Sequence, residues 1–594
     1  MRQRYKAMVE MLPRVRAMPA SALRATLAVG YGKGDFKADL MAGLVVGVVA
    51  LPLSMALAIA SGVPPQNGLY TAIIAGAVIA ALGGSKVQVS GPTAAFVVLL
   101  APVSARYGLG GLCVASLIAG VMLIAMGAAG FGSLLQYVPH PVTTGFTAGI
   151  AVVIATLQVK DFFGLTVEKM PEHYLERVEA LFHAAPTARW TDLVIGALTL
   201  AILILWPRFN KKVPAPLVAL TTGGVLAFAA TQLIDGFTVG TIASRFSYVV
   251  DGVAHPGVPH SPPMPVLPWL LPGADGAPLG LSIKLLRDIL PSAFAIAMLG
   301  AIESLLSATV ADGMIGAKHD ANGELLGQGI GNVVAPFFGG FAATGAIART
   351  ATSVRSGARS PIATIIHSGF ILAAMLVLAP LIGYLPMASL AALLMIVAWN
   401  MSEVRHFGHI VRVAPRSDVV VLLACFFLTV VFDMVISVTA GVMLAALLFM
   451  RRMAEITGGR VEETHGSKHA ALPKGVLQYS IDGPLFFGAA QKAMGALHDV
   501  ARTAKVVILE IVDVPAMDAT GLVALESALA KLWKGKAEVI IVGAQTQPRA
   551  VLEKAGLVAQ EGKLAYEPTV EAALERAQRV IEARAATAPP APGA

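Results

Sequence analysis

Long apolar runs alternate with short polar connections from residue 39 to residue 452. Many runs exceed 18 residues, the length at which a helix crosses the hydrocarbon core of a bilayer. We therefore predict a polytopic all-α membrane domain at residues 39–452 with about fourteen transmembrane segments, several of them short. The segments lie near residues 39–60, 66–82, 91–104, 109–130, 141–163, 190–206, 215–234, 284–311, 322–338, 345–356, 361–380, 385–401, 416–432 and 434–450.

The pattern changes after residue 452. Residues 453–473 are polar and predict a linker, and residues 474–582 alternate strand-type with helix-type stretches, which predicts a small α/β domain. Its predicted strands are VLQYSI, KVVILEIV and AEVIIVG, and its predicted helices cover 488–502, 519–534 and 547–555. Residues 583–594 are of low complexity and predict a disordered tail.

Composition supports a membrane protein. The chain is 56% hydrophobic and 13% charged, about half the charged share of a soluble domain. If residues 1–38 are cytoplasmic and the segments alternate, every cluster of Lys and Arg between segments falls on the cytoplasmic side. The net charge of +8 then reports topology and contact with anionic lipid. Scattered basic residues argue against nucleic acid as a partner.

The sequence offers little enzyme chemistry. Cys113 and Cys425 lie inside apolar runs, which excludes a disulfide framework and gives no metal spacing. We find no catalytic constellation, no P-loop and no cofactor motif, so we do not expect an enzyme. Four histidines are interpreted as loop or interface residues: His319, His367, His406 and His409.

Residues 171–184, PEHYLERVEALFHA, lie between the fifth and sixth segments. Leu175, Val178, Leu181 and Phe182 share one face at helical spacing. This pattern fits a helix lying in the outer interface of the membrane. An ordinary loop helix would show the same pattern.

Two segments break the helical pattern in the same way. Residues 83–100 (GGSKVQVSGPTAAFVVLL) and 338–355 (FGGFAATGAIARTATSVR) each run from a glycine pair through a short extended stretch to a helix start. We predict the new helices at Pro92 and Gly345. The segments are third and tenth of fourteen, and such paired interruptions indicate an inverted repeat with a binding site at mid-membrane.

The broken segments predict a site for an anion. Helix amino ends expose free N–H groups and carry partial positive charge, and Arg349 adds a full charge. Small residues, among them Ala346, let a ligand approach the backbone. Two alternatives are that the glycines serve helix packing and that Arg349 forms a structural ion pair or snorkels towards water.

Glu303 is an acid in mid-helix, where ionisable residues are rare and functional. It could carry a proton or a sodium ion, pair with Arg349 in the empty site, or be structural. Gln328 and Asn332, four residues apart, could line the site or bond to a neighbouring helix.

Five stretches carry a family resemblance: residues 50–70 (ALPLSMALAIASGVPPQNGLY), 89–96 (VSGPTAAF), 301–314 (AIESLLSATVADGM), 338–355 and 514–525 (VPAMDATGLVAL). In this order they resemble the sulfate permease (SulP) family of anion transporters with a C-terminal STAS domain. The resemblance implies a seven-plus-seven inverted repeat with a core of segments 1–4 and 8–11 and a gate of segments 5–7 and 12–14. It also implies elevator-type movement, a homodimer and, in bacteria, the inner membrane, with both termini cytoplasmic.

The resemblance places the anion among residues of segments 1, 3 and 10. They are Leu53, Ser54, Leu57, Thr93, Ala94, Ala346, Ile347, Ala348 and Arg349. Many relatives carry glutamine in place of Leu53 and serine in place of Ala348. A less polar site with one arginine suits a carboxylate, which guanidinium binds in two-pronged geometry.

Several stretches are similar to the branch of this family that transports four-carbon dicarboxylates in aerobic bacteria. We therefore expect secondary active transport of organic dianions such as succinate, fumarate or aspartate, coupled to a proton or sodium ion through Glu303. A bicarbonate or sulfate transporter or an anion exchanger is the alternative within the family. A membrane-anchored signalling protein is the alternative outside this class.

The STAS signature here is Asp518, Thr520 and Gly521. In soluble relatives the counterpart of Thr520 is phosphorylated, which would make Asp518 and Thr520 a regulatory site. The alternative is that Thr520 caps a helix amino end. The resemblance also implies a cytoplasmic partner of this domain such as acyl carrier protein.

Overall fold

The computed structural model describes residues 18–135, 138–167, 170–171, 173–210, 213–250, 253–432, 434–456, 458–462, 464–465, 470–500 and 504–586. The chain divides into two compact units, Met1–Val442 and Met443–Ala594. Residues 1–17 of the predicted N-terminal region and residues 587–594 of the predicted tail lie outside the described residues.

The first unit is helical. Its helices are α1 (Ser21–Val29), α2 (Lys33–Ala60), α3 (Pro65–Leu82), α4 (Ala94–Ala128), α5 (Gly132–Leu135), α6 (His140–Phe162), α7 (Tyr174–Ala184), α8 (Trp190–Phe209), α9 (Ala215–Leu233), α10 (Ile242–Arg245), α11 (Ile283–Ile315), α12 (Ala321–Val334), α13 (Ile347–Arg355), α14 (Ile362–Ile382), α15 (Met387–Ser402), α16 (Val404–Val413), α17 (Arg416–Val431) and α18 (Met434–Ile456). Two short strand pairs join them: β1 (Ser90–Gly91) with β4 (Thr344–Gly345), and β2 (Ser247–Val250) with β3 (Val253–Pro256).

The predicted helical membrane fold is confirmed. Each of the predicted segments coincides with a helix or with part of one, and ten helices among the described residues are long and apolar enough to cross a membrane. The count of fourteen spans stays a prediction, because α12, α13 and α17 are shorter than a full span.

The third and fourth segments form one long helix with a break at Gly108. Its backbone has φ 68° and ψ −169°, outside the helical range. A Cβ at Gly108 would lie 2.3 Å from the carbonyl carbon of Gly273. Glycine is therefore needed here both for the positive φ and for the close approach.

The long helices pack in two sets. One set contains α2, α3, α4, α11, α12, α13 and α14, and the other contains α6, α8, α9, α15 and α17. Small residues allow close packing in the first set: a Cβ at Gly120 of α4 or at Gly329 of α12 would lie 2.7 Å from the carbonyl oxygen of the other. The division into a core and a gate that the family resemblance implies stays a prediction, and the second set lacks its fourteenth segment, α18.

Two surface helices differ from the predictions. In α7, Leu181 is buried, whereas Leu175 and Phe182 are 66% and 79% exposed. Only part of the predicted apolar face therefore packs against the protein. Residues 404–413, which fall between the predicted segments 385–401 and 416–432, form the separate helix α16. Their apolar residues recur at helical spacing, but the run is too short to stand out as a span.

The second unit is the predicted α/β domain. It contains β5 (Gly458–Glu462), β6 (Thr464–His465), β7 (Ala470–Ala471), β8 (Val476–Asp482), α19 (Phe487–Val500), β9 (Val506–Glu510), α20 (Ala519–Lys534), β10 (Glu538–Val542), α21 (Thr546–Lys554), β11 (Leu564–Glu567) and α22 (Val570–Ala586). The main sheet has the order β11-β10-β9-β8-β5. Neighbouring strands are parallel except β5, which pairs antiparallel with β8.

The predicted boundaries of this domain need correction. The predicted linker 453–473 contains the end of α18 and strand β5, whose backbone completes the edge of the sheet beside β8. A glycine-rich polar strand has no hydrophobic period to reveal it. Strand β11 and helix α22 were not predicted. Helix α22 continues to Ala586, into the predicted tail, because its Ala, Glu and Arg residues favour helix.

Candidate functional site

The two broken segments meet at a small antiparallel crossing. Ser90 pairs with Gly345, and Gly91 pairs with Thr344. One more backbone bond extends the crossing, from the N–H of Ala346 to the carbonyl of Val89 at 2.8 Å. The paired interruptions of the third and tenth segments are thus one structure.

A helix begins just after each strand of the crossing, α4 at Ala94 and α13 at Ile347. Because the strands are antiparallel, the helices leave the crossing in opposite directions with their amino ends beside it. The predicted starts, Pro92 and Gly345, were two residues early, since strand pairing keeps this backbone extended. Neither N-cap residue, Thr93 or Ala346, accepts a backbone N–H on its side chain, so neither N-cap balances the positive end of its helix dipole.

Arg349 joins the two broken segments. It is 3% exposed, and its Nη2 donates to the carbonyl of Pro92. A Cβ at Gly91 would lie 2.9 Å from Nη1, so the guanidinium rests directly on the glycine backbone. Nη1 is buried and makes no hydrogen bond within the described part of the chain. The arrangement leaves one charged donor free beside two helix amino ends.

Glu303 lies at the amino end of α4. The hydroxyl of Thr93 donates to its Oε2 at 3.0 Å. Glu303 and Arg349, both described, do not form an ion pair within 4.0 Å. The carboxylate is therefore held by the N-cap residue of the broken helix, without direct pairing to the arginine.

Helix α12 holds the broken segments through three side chains at four-residue spacing. Glu324 Oε2 accepts the N–H groups of Gly84 and Ser85, each at 2.9 Å. Gln328 Nε2 donates to Ser90 Oγ at 2.8 Å. Glu324 and Gln328 therefore bind the third segment at two places, at residues 84–85 and at Ser90.

Asn332 completes this row on the tenth segment. Its amide donates to the carbonyl of Ala343 at 2.9 Å and accepts the N–H of the same residue at 2.6 Å. Of the two roles left open for Gln328 and Asn332, the structure therefore shows bonding to a neighbouring segment. Glu324 was missed, although its spacing from Gln328 and Asn332 was the available signal.

Helix α11 supplies a second row of hydroxyls. Ser304 Oγ lies 2.8 Å from Thr344 Oγ1 and accepts the N–H of Gly345 at 3.1 Å. From helix α13, Thr350 Oγ1 accepts the N–H of Val89, the residue before β1, at 3.0 Å. Side chains thus satisfy the irregular backbone, as an apolar surrounding requires.

The predicted residues of segment 1 approach the crossing by helix packing. Helix α2 packs against α13, with Ser54 and Leu57 fully buried and Leu53 half-buried. Ser54 Oγ has no hydrogen-bond partner among the described residues.

Exposure separates the remaining predicted residues. Thr93 and Ala94 are buried, Ala346 and Ile347 are half-buried, and Ala348 is exposed. Among the predicted residues, Thr93 is bonded to Glu303, and Arg349 contacts Gly91 and Pro92. Within the described part of the chain, no hydrogen bond joins the side chains of Leu53, Ser54 or Leu57 to Thr93 or Arg349.

In the second unit Asp518, and not Thr520, caps helix α20. Its Oδ1 accepts the N–H of Gly521 at 2.7 Å. The interpretation of Thr520 as the cap is wrong, because the helix already begins at Ala519 and Thr520 is its second residue.

The interpretation of four histidines as loop or interface residues is wrong for His367, which lies inside α14 and is 0% exposed. His319 does lie after the end of α11, where its Nδ1 is 2.7 Å from Asp312 Oδ2.

Fold and crossing together define a class: a helical membrane protein in which two broken helices meet amino end to amino end, followed by an α/β domain. Residues 36–425 match the model of the Sulfate permease family, and residues 468–573 match the STAS domain. The chain belongs to the sulfate permease family, whose members are anion transporters.

Relatives cover nearly the whole chain. It is 40% identical over 535 residues to the putative sulfate transporter YvdB of Bacillus subtilis (strain 168), covering 90% of this chain and 96% of that protein. It is 29% identical over 542 residues to the bicarbonate transporter BicA of Picosynechococcus sp., covering 85% and 88%. The solved structure of SLC26A9 has the same fold, with 17% identity, a TM-score of 0.80 and coverage of 99% and 96%.

Proposed function

We propose that this chain is a secondary active transporter of organic dianions of the succinate, fumarate and aspartate type. One observation carries the proposal: Nη1 of Arg349 is buried with no partner among the residues that the structure describes, beside two helix amino ends whose N-cap side chains form no cap. Helix amino ends attract anions, and guanidinium matches the planar geometry of a carboxylate. Leu53 and Ala348 add no side-chain polarity, which favours a substrate that brings its own apolar carbons.

Glu303 takes up the coupling proton in this proposal. The buried carboxylate of Glu324 accepts three described hydrogen bonds, from Gly84, Ser85 and Gln328, so its oxygens already hold the third segment and α12 together. Glu303 accepts one, from Thr93. A neutral Glu303 would no longer compete for the positive field of the site, so proton and anion would each favour binding of the other. Sodium is the alternative coupling ion.

Transport would proceed by elevator movement of the core against the gate. Support comes from the two packing sets, since segments 1–4 and 8–11 pack among themselves and the crossing lies entirely within the first set. The distribution of Lys and Arg supports cytoplasmic termini in a bacterial inner membrane. A homodimer, a regulatory site at Asp518 and Thr520, and a cytoplasmic partner such as acyl carrier protein follow from the family resemblance.

A bicarbonate or sulfate transporter, or an anion exchanger, is the second candidate. The relatives favour it, because YvdB is described as a putative sulfate transporter and BicA as a bicarbonate transporter. Both anions would also be attracted by Arg349 and the helix ends.

Uptake into proteoliposomes tests the proposal. The full-length protein is reconstituted, a pH gradient is imposed, and labelled succinate, sulfate and bicarbonate are supplied in parallel. We expect accumulation of succinate that unlabelled fumarate or aspartate reduces and excess sulfate does not. Accumulation of sulfate or bicarbonate with no uptake of succinate would replace the proposal by the second candidate.

A further inference from the structure

His367 is a fully buried histidine in helix α14 that the proposed mechanism does not use. It is 0% exposed, and within the described residues neither ring nitrogen makes a hydrogen bond. Because burying an unpaired polar group is unfavourable, such a group in a native core needs an explanation.

The neighbours of His367 on α14 contact the third segment and helix α3. Thr364, three residues earlier, donates to the carbonyl of Gln88 at 2.8 Å. Ser368, the next residue, donates to the carbonyl of Ala72 at 3.0 Å. Residues three or four apart share a helix face, and His367 lies between these two anchors. His367 therefore shares the side of α14 on which Thr364 contacts Gln88 of the broken segment.

A series of close contacts connects α14 with Arg349. Ser368 donates to the carbonyl of Ala72. A Cβ added at Gly91 would lie 3.7 Å from the Cα of Ala72 and 2.9 Å from Nη1 of Arg349. The unpaired ring and the unpaired Nη1 thus belong to one neighbourhood.

We propose that His367 is a further specificity-determining residue of the anion site, and that its ring N–H donates a hydrogen bond to the carboxylate held at Arg349. The inference rests on the proposed function, because it needs an anion at the crossing. A carboxylate offers about four acceptor positions, more than Nη1 can fill. A neutral imidazole adds a directed donor without placing a second full charge in the membrane.

A purely structural histidine would behave differently. A packing residue is replaced by an apolar side chain of similar size with little effect on ligand affinity, and removing the two orphaned nitrogens would stabilise the protein. A residue that binds the anion loses affinity on the same replacement.

The test compares His367→Leu with His367→Gln in the full-length protein in proteoliposomes. Labelled succinate is the probe, replaced by sulfate or bicarbonate if the uptake experiment selects one of these. For His367→Leu we expect the KM to rise about tenfold and the maximal rate to stay within about twofold, because one hydrogen bond to a charged group is lost. His367→Gln, which keeps an amide donor, should stay within about threefold of the wild-type KM.

Ile371→Val is the matched control. Ile371 is buried one turn further along α14 and carries no polar atom, so its shortening perturbs packing alone and should leave the KM unchanged. If His367→Leu does not fold, His367→Met provides the same loss of donors with a more adaptable side chain.

A wild-type KM in the apolar variants would overturn the inference. An equal rise of the KM in the Gln and apolar variants would overturn it as well, because the donor would then not matter. Failure of the proposed function is distinguishable, since Arg349→Ala would then also leave the KM unchanged.

Discussion

The two units of the chain begin helices in opposite ways. In the α/β domain the carboxylate of Asp518 accepts the N–H of Gly521 and closes the amino end of α20. At the membrane crossing the N-cap residues of α4 and α13, Thr93 and Ala346, provide no side-chain cap. The hydroxyl of Thr93 accepts no backbone N–H of the helix, and it donates to Glu303.

This difference separates a structural helix start from a functional one. A carboxylate at an amino end satisfies free N–H groups and balances the dipole. In the α/β domain the protein supplies that carboxylate itself. At the crossing neither N-cap side chain closes its helix, Glu303 is bound among the described residues only to the hydroxyl of Thr93, and Arg349 adds positive charge, so we infer that the balancing anion is the transported one.

Removing the charge of Arg349 should have the largest effect on anion binding at the crossing. Arg349→Ala removes the buried Nη1 donor and is expected to raise the KM for the transported anion about 100-fold, corresponding to about 2.7 kcal/mol for a charged hydrogen bond. Uptake kinetics in proteoliposomes measure the effect. Arg355→Ala, on the exposed last turn of the same helix, is the control and should transport normally. An unchanged KM in Arg349→Ala would exclude the arginine from the site.

Supplying the missing cap should be the next largest effect. Ala346→Asp places a carboxylate at the N-cap of α13, as Asp518 does for α20, and this internal anion would compete with the substrate. We expect the KM to rise about 30-fold, near the upper limit of about 2 kcal/mol for charge at a helix end. Ala346→Asn has nearly the same shape without the charge and should show a smaller increase. Equal effects of Asp and Asn would mean that sterics, not charge, govern the position.

Neutralising Glu303, the partner of the Thr93 hydroxyl, tests whether this carboxylate couples transport to a proton. Glu303→Gln keeps a hydrogen-bond acceptor for Thr93 but cannot bind a proton. A gradient of one pH unit drives about tenfold accumulation through one coupled proton, and we expect the variant to lose this accumulation. Exchange of internal for external substrate should continue, and measuring it in the same vesicles distinguishes uncoupling from misfolding. Retained accumulation under a pH gradient would remove Glu303 from the coupling step.

Much of this architecture is predictable from the sequence because the membrane imposes strong patterns. Apolar runs locate the helices, and glycine pairs followed by helix-type residues at 83–100 and 338–355 locate the breaks. Strand pairing between Ser90 and Gly345 is not predictable in the same way, because two residues carry no period. This unseen pairing also explains why the predicted helix starts were two residues early.

The buried polar residues show the other limit of sequence reasoning. Glu324 resembles a solvated acid of a helix end, yet it accepts two backbone N–H groups of the third segment. His367 occurs in an apolar run without any motif, and only the packing of α14 shows that it is buried beside the broken segment. Such roles depend on partners more than 200 positions away for Glu324, and neither spacing nor composition reports them.

The smallest expected effect is in the α/β domain. Asp518→Ala removes the cap of α20 and should destabilise that helix by about 1 kcal/mol, which is about a fivefold loss of protection from hydrogen exchange in residues 519–534. Exchange is measured by mass spectrometry on the full-length protein. Asp518→Asn retains a capping oxygen and should keep most of the protection. Because this carboxylate balances a helix end and not a substrate, the KM for the anion should be unchanged in both variants. A KM that rises in Asp518→Ala would show that the two helix starts are coupled and that the distinction between structural and functional amino ends does not hold.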